Sequence, residues 1–371
     1  MPHIAAPQPF RVIDTGIRAG RANMAFDQAL IEARAEDRIQ DTIRFLRFRP
    51  AALIGRHQIL SHEIDVAHCR THGIEVGRRI TGGGALYLDE RQLGWELVFR
   101  RASLGLFDLD TAARRICEAA AAGLRRLGIA AAYRPRNDIE VDGRKLGGTG
   151  GFFDGDLLFY QGTVLIDFDP AAMLAALRLP AAKLAKRGLA SAADRIVTLR
   201  ELAGGSPPPV AQVQTALLAG FADGLGLQPV AGAITAFEEA LAQRIHQTEI
   251  GTDAFVTSLD APATEGLLAS AVRTQAGGSI RVDLRCDHTG HIREALITGD
   301  FFVTPPRVVR DLEATLRGVA AADTAGAIDR FFATHEATFL GLCRADLRAT
   351  VLAALAQTRV AEPHGLPNDA L

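Results

Sequence analysis

The chain has 371 residues, 48% of them hydrophobic, which is enough for a sizeable core and excludes global disorder. Its 41 basic and 43 acidic residues are interspersed and leave a formal net charge of −2, so neither a basic nucleic-acid stripe nor a polybasic membrane patch is expected. The four cysteines, Cys69, Cys117, Cys286 and Cys343, stand far apart with no CxxC pair, which argues against a structural zinc cluster and a disulfide framework; with no charged leader before an apolar run and no apolar stretch long enough to span a bilayer, a soluble cytoplasmic protein is expected.

In chain order, 23–36 is predicted to be a helix, with Met24, Ala25, Leu30 and Ile31 at helical spacing. Short strands are expected at 43–48 and 52–55, then at 75–80, with 92–100 as the hairpin partner of the last. The clearest helix is 111–127, where Ile116, Ala120, Leu124 and Leu127 share a face and Gly128 provides a stop. A strand meander follows, punctuated by Asp142-Gly143 and Asp154-Gly155, both two-residue hairpin signals. Helices dominate 170–245, broken by the Gly/Ser/Pro loop at 204–209. The sequence loosens beyond His246, then resumes as strands at 279–285 and 292–298 and helices at 306–317, 324–333 and 344–356. The expected fold is α+β: a mixed, largely antiparallel sheet flanked by helices, with a small α+β C-terminal domain. The expected division is 1–250, a linker region at 251–278, and 279–371.

Two segments carry the chemistry. Arg78 and Arg79 lead through Ile80 and Thr81 into Gly82, Gly83 and Gly84, followed by Ala85, Leu86 and Tyr87. Three successive glycines in strand-like sequence are costly unless the backbone must approach something closely. By itself the segment fits either a glycine-rich turn beside two solvated arginines or an anion site built from bare N–H groups. The second segment runs from Asn137 and Asp138 through the Asp142-Gly143 turn to Lys145, then Gly147, Gly148, Gly150 and Gly151. It sets a lysine on a strand beside backbone that a ligand can approach, so Arg79 and Lys145 could flank one anion. Gly162 and Thr163, after Gln161, add a polar interruption to an otherwise apolar strand. Because strand side chains alternate, only one of Arg78 and Arg79 is expected to face a site, and Arg79 is favoured.

The order of these motifs resembles the lipoate-protein ligase A family. The likeness includes Asn23-Met24-Ala25 with Asp27, Gly55-Arg56 with Gln58, the Arg-Arg-x-x-Gly-Gly-Gly-Ala run, Asn137-Asp138-Ile139, Asp142-Gly143-Arg144-Lys145 and Gly162-Thr163. It also includes the Lys183 to Leu199 run and a C-terminal portion with Gly299-Asp300-Phe301-Phe302, so it covers nearly the whole chain. The resemblance implies a biotin/lipoyl ligase fold and a catalytic domain over 1–250. It implies an ATP- and Mg2+-dependent enzyme that converts lipoate or octanoate to an acyl-adenylate, releases pyrophosphate, and passes the acyl group to a lysine of an apo lipoyl-carrier protein or domain. On this reading Lys145 is catalytic and touches both nucleotide and acid. Arg79 and the backbone of Gly84, Ala85, Leu86 and Tyr87 hold the nucleotide; Gly82, Gly83, Gly162 and Thr163 line the acid. Arg78, Asn137, Asp138 and Gly148 support the site, and Asp138 either orients Lys145, helps hold the metal, or caps the turn.

Leu88, Gln161, Gly147 and Gly150 depart from the family pattern and bear on acceptor choice and nucleotide geometry. The alternatives are an ATP-independent octanoyl- or lipoyl-transferase of the same fold, which needs an activated thiolate, and a non-catalytic binder of lipoate or carrier domains. No cysteine lies between 118 and 285, and Cys117 is expected to be a small buried side chain on the 111–127 helix.

Overall fold

The computed structural model describes residues 7–178, 195–259, 268–275 and 278–358. Its centre is an eight-stranded sheet in the order β11-β1-β2-β6-β10-β9-β8-β7. The strands are β1 (Gln8–Arg18), β2 (Thr42–Phe48), β6 (Gln92–Arg100), β7 (Ala132–Arg134), β8 (Asp138–Val141), β9 (Arg144–Asp154), β10 (Leu157–Leu165) and β11 (Leu227–Ala231). β1 runs parallel to β2 and to β11, and every other pairing in the sheet is antiparallel. A three-stranded sheet, β4-β3-β5, lies beside it and consists of β3 (Ala51–Ile54), β4 (Glu75–Arg78) and β5 (Leu86–Leu88).

Helices cover both faces. They are α1 (Gly20–Ala35), α2 (Leu60–Glu63), α3 (Val66–Thr71), α4 (Arg101–Leu104), α5 (Leu109–Arg125), α6 (Pro170–Ala176), α7 (Leu199–Leu202), α8 (Val210–Leu225), α9 (Ala236–Thr248) and α10 (Asp253–Val256). On one face Leu93, Trp95, Leu97 and Phe99 of β6 bury against Ile116 and Leu124 of α5 and Phe221 of α8. On the other, Val98 and Phe159 meet Met24, Phe26 and Leu30 of α1 and Ile245 of α9. A separate core holds β12 (Leu268–Gln275), β13 (Gly278–Cys286) and β14 (Ile292–Gly299) against α11 (Val308–Leu316), α12 (Thr324–Thr334) and α13 (Arg344–Thr358). β15 (Phe302–Thr304) and β16 (Thr338–Leu340) form a two-stranded ribbon beside it. The α+β class and the largely antiparallel central sheet are as expected.

Three expectations need correction. β4 does not pair with β6: it lies parallel to β3, while β6 sits between β2 and β10. The reason is that β6 is apolar on both sides, as an interior strand must be, whereas a hairpin at the periphery would keep one face wet. The stretch 251–278 is not wholly loose, because it contains α10 and the paired strand β12. The second hairpin turns one residue later than Asp154-Gly155, with Asp154 still paired to Leu157, whereas Asp142 and Gly143 form the first turn with φ of 51° and 76°, the left-handed pair such turns require. The family-like run 183–191 lies outside the described residues.

Beneath α1 lies a buried ionic cluster. Arg44 Nη1 donates to Asp27 Oδ1 at 2.6 Å and to Glu96 Oε2 at 3.0 Å, Nη2 donates to Asn23 Oδ1 at 2.6 Å, and Nε donates to Thr15 Oγ1 at 3.0 Å. Asn23 and Asp27, both in the family-like N-terminal motif, are thus what anchors α1 to the sheet. One guanidinium serves two carboxylates, and Asp27 Oδ2 has no partner. Burial, followed by the nearby Glu96, raises Asp27 well above its ordinary 3.8, and burial raises Glu96.

A carboxyl raised in the folded state stabilises the fold below its unfolded pKa, and that contribution is lost as pH rises through the folded value. Asp27→Asn keeps the acceptor for Arg44 and removes the titration. In thermal melts from about pH 4 upward, the melting temperature of Asp27→Asn should gain steadily on that of the parent; a pH-independent difference would contradict the raised Asp27 carboxyl.

Candidate active site

The site forms where the loop between β4 and β5 folds down over one face of β9 and β10. Arg79 shapes this loop. Its backbone N–H donates to Ile54 O at 2.8 Å, Nη1 donates to Leu53 O at 2.9 Å, and Nη2 donates to Gly82 O at 3.0 Å and Gly84 O at 2.8 Å. The side chain is almost fully buried, and loss of solvation lowers its pKa to about 10. Arg78 diverges from it, as strand alternation requires. Arg78 ties the carbonyls of Arg56 and Gln58 to that of Val256 in α10, at 3.0, 2.7 and 2.8 Å. Both guanidiniums are therefore buried and engaged with backbone, and neither lies in open solvent. Close approach makes glycine necessary here: a Cβ on Gly55 would run into the Gly83 carbonyl, and Gly83 itself has φ of 89°.

The β5 half of the loop is less open than expected. Leu86 and Tyr87 pair with Leu53 and Ala52 of β3, and Tyr87 is buried in a small core with Ile54, Ile64 and Cys69; Ala85 packs against that core. Leu88 lies in the core under α1, so this departure from the family pattern supplies an apolar contact. Gly84 and Ala85 are the residues of this stretch that stay outside the strand.

Lys145 faces the loop from β9. Its Nζ lies 2.7 Å from Asp138 Oδ1, and both side chains keep some exposure. A Cβ on Gly148 would stand 2.8 Å from Nζ and 2.9 Å from Cε, so only glycine lets the lysine lie there. The strand holding it is pinned from both sides: Lys145 N donates to Arg195 O, Val197 N donates to Lys145 O, and Asp138 pairs with Gly148 across β8. Asn137 Nδ2 donates to Thr149 O at 2.6 Å, which fixes where β8 begins and so where Asp138 sits.

Thr163 is on the same face, with its hydroxyl 3.4 Å from both Gly148 N and Gly148 O. Gln161 is its neighbour there, and its Nε2 donates to Thr81 Oγ1 at 2.8 Å, bridging sheet and loop. Gly162 is not on this face: a Cβ there would run into the Trp95 indole on the α5 side. The structure thus joins Lys145, Asp138, Gly148 and Thr163 on the sheet and Arg79, Gly82, Gly83 and Gly84 in the loop, links the two groups through the Gln161–Thr81 hydrogen bond, and turns Gly162 and the Tyr87 side chain away.

Sequence reasoning missed the support under β9. Thr149 Oγ1 lies 2.7 Å from Tyr160 OH and 3.2 Å from Cys117 Sγ, and it donates to Asn137 O at 3.0 Å. This buried network carries no periodic signal in the sequence. Cys117 is fully buried, and burial pushes its thiol up to about 11, the opposite of an activated nucleophile. Among the described residues no three His, Cys, Asp or Glu side chains gather as a metal site. Asp138 beside Lys145 and Asp300 beside Gly84 each offer a carboxylate, and Mg2+ is often content with one or two when phosphates and water complete its shell. No helix of the described residues is long and apolar enough to cross a membrane.

A sequence profile of the lipoyl protein ligase A/B catalytic domain matches residues 19–222. The chain belongs to this family. The octanoyltransferase LipM of Symbiobacterium thermophilum is 31% identical over 267 residues, spanning 66% of this chain and 96% of that protein. The bipartite lipoate protein ligase of Thermoplasma acidophilum, studied with its E2 lipoyl domain, superposes with a TM-score of 0.61 at 24% identity, covering 69% of this chain and 99% of that one. P. falciparum LipL1, solved with lipoate, shares the fold over 93% of this chain and 99% of its own, with a TM-score of 0.70 at 14% identity. This family member is therefore an enzyme of the lipoate ligase and octanoyltransferase class, and the fold likeness extends into the C-terminal module.

Gly148→Ala tests the geometry. The added methyl should push the lysine tail aside without disturbing the sheet, lowering carrier acylation on the order of a hundredfold with an unchanged melting temperature. Near-parent activity would show that the position of Lys145 over Gly148 is unimportant.

Proposed function

We propose that this enzyme is an ATP-dependent lipoate-protein ligase, acting on lipoate or octanoate and on a lysine of an apo lipoyl-carrier protein or domain. One observation carries the reading: the cation at the site, Lys145, is accessible and aimed by Asp138, while the nearest thiol, Cys117, is sealed in the core with a raised pKa. Cys69 is buried in the α3 core, and Cys286 and Cys343 belong to the C-terminal module.

In the first step the acid's carboxylate forms a bond to the α-phosphorus of ATP, the α–β bridging P–O bond breaks, and pyrophosphate leaves. Lys145 opposes the charge that builds where two anions meet, and a cation fixed in place needs no rearrangement at that moment. Asp138 holds the ammonium in position. Arg79 braces the loop whose backbone would face the nucleotide. Mg2+, when bound, would shield the phosphates, with Asp138 and Asp300 as the available carboxylates. In the second step the carrier lysine's neutral amine forms a bond to the acyl carbonyl carbon, the acyl C–O bond breaks, AMP leaves with its electron pair, and the proton lost by the nitrogen passes to solvent.

A second reading has its own support. The most similar curated relatives include proteins named octanoyltransferase, and those names favour ATP-independent transfer over the adenylation route. In that case a cysteine thioester forms with loss of the donor thiol, and Cys117 would have to lose its proton and become accessible.

Purified protein with ATP, Mg2+ and either acid should release pyrophosphate and acylate an apo carrier. Lys145→Ala should lower acylation on the order of a hundredfold or more while melting normally. A variant with all four cysteines changed to Ser should retain most activity if it melts like the parent. Acyl transfer from an octanoyl-carrier without ATP, abolished by changing one cysteine, would overturn the ligase reading in favour of the transferase.

A further inference from the structure

Lys145 reaches the loop face because β9 breaks its own alternation. Thr149 and Phe153 face the α5 side of the sheet, where Phe153 enters the core and Thr149 meets Cys117. Strict alternation would send Lys145 to that side as well. Along β8, however, Ile139 pairs with Gly147 and the next residue, Glu140, pairs with Lys145. Leu146 is thus the extra residue of a bulge, a device that re-aims a side chain. It drops into the α5 core and leaves Lys145 on the loop side, over Gly148.

Beyond the bulge, Thr149 and Asn137 are tied by three hydrogen bonds. Thr149 N and Oγ1 both donate to Asn137 O, at 2.8 and 3.0 Å, and Asn137 Nδ2 donates to Thr149 O at 2.6 Å. A hydroxyl has one hydrogen, and giving it to Asn137 makes Thr149 Oγ1 the acceptor toward Tyr160 OH and Cys117 Sγ. Burial raises Tyr160 well above its ordinary 10 and Cys117 to about 11, so both keep the hydrogens they donate.

We propose that Thr149 is a positioning residue: from the back of the sheet its hydroxyl fixes Asn137, the adjacent Asp138, and through that carboxylate the ammonium of Lys145. This deepens the functional reading of Lys145 and rests on it. Asp138 pairs with Gly148, next to Thr149, and its Oδ1 lies 2.7 Å from Lys145 Nζ. A β8 that slides along β9 carries the carboxylate away from the ammonium, so the register held by Thr149 sets the ion pair.

The test uses the full chain, whose lysines are Lys145, Lys183 and Lys186. In NMR spectra of isotopically labelled lysine, the parent should show a slowly exchanging ammonium signal that Lys145→Arg removes. Thr149→Val keeps the volume and loses the hydroxyl. It should broaden that signal and slow pyrophosphate release at saturation on the order of tenfold, with KM values for ATP and octanoate within about twofold of the parent. Thr149→Ser should recover both properties. Tyr160→Phe should move both in the same direction as Thr149→Val, and it carries the test if Thr149→Val melts far below the parent. A parent without the ammonium signal, a signal unchanged in these variants, or a loss of rate that Thr149→Ser does not recover would overturn the positioning role. A parent that releases no pyrophosphate, but whose ammonium signal responds to Thr149 as described, would remove the ligase reading and leave the positioning role standing.

Discussion

Close approach of backbone to backbone, possible only where Cβ atoms are missing, is the constraint on which this site depends. Gly55 lets the loop lie on the end of β3, Gly83 and Gly150 leave a gap between loop and sheet, and Gly148 gives Lys145 room to reach Asp138. Side chains at these positions would either lift the loop or push the lysine away. Arg79 then supplies what the glycines lack, because its guanidinium converts a flexible loop into a fixed one by gathering the carbonyls of Leu53, Gly82 and Gly84. An arginine that the sequence suggests as an anion ligand is, in this arrangement, a brace.

Much of the local structure was legible. Apolar spacing marks α1 and α5, and period-two runs with Asp-Gly turns mark β8, β9 and β10, because these signals arise from neighbours in the chain. Lys145, Asp138 and the glycine loop were legible for the same reason: unusual residue types stand out against a strand pattern. Partners were not. Periodicity says that 92–100 is a strand, and only its double-sided apolar character, Leu93 to Phe99 with Val98, places it in the sheet interior away from β4. Gly162 and Thr163 look equivalent in sequence, yet alternation sends them to opposite faces, one against Trp95 and the other to Gly148.

The least legible features are those that join distant segments. Cys117, Thr149 and Tyr160 form one buried network from three elements, and nothing in their spacing connects them. The contact between Phe302 and Gly150 bridges the C-terminal module and the central sheet. Gly150, one of the departures from the family pattern, makes room for that ring. The buried Arg44 cluster adds a further lesson: Asn23 and Asp27, which read as a family motif, act through the fold and not at the site.

On the proposed ligase reading, the acid is activated as a non-covalent adenylate beside Lys145 and never as a thioester on the enzyme. Intact-protein mass spectrometry after mixing the enzyme with octanoate, ATP and Mg2+, before any carrier is added, addresses it most directly. The account requires an unmodified protein mass together with octanoyl-adenylate and pyrophosphate in solution. A protein carrying one octanoyl group, mapped to a cysteine and formed from an octanoyl donor without ATP, would contradict it.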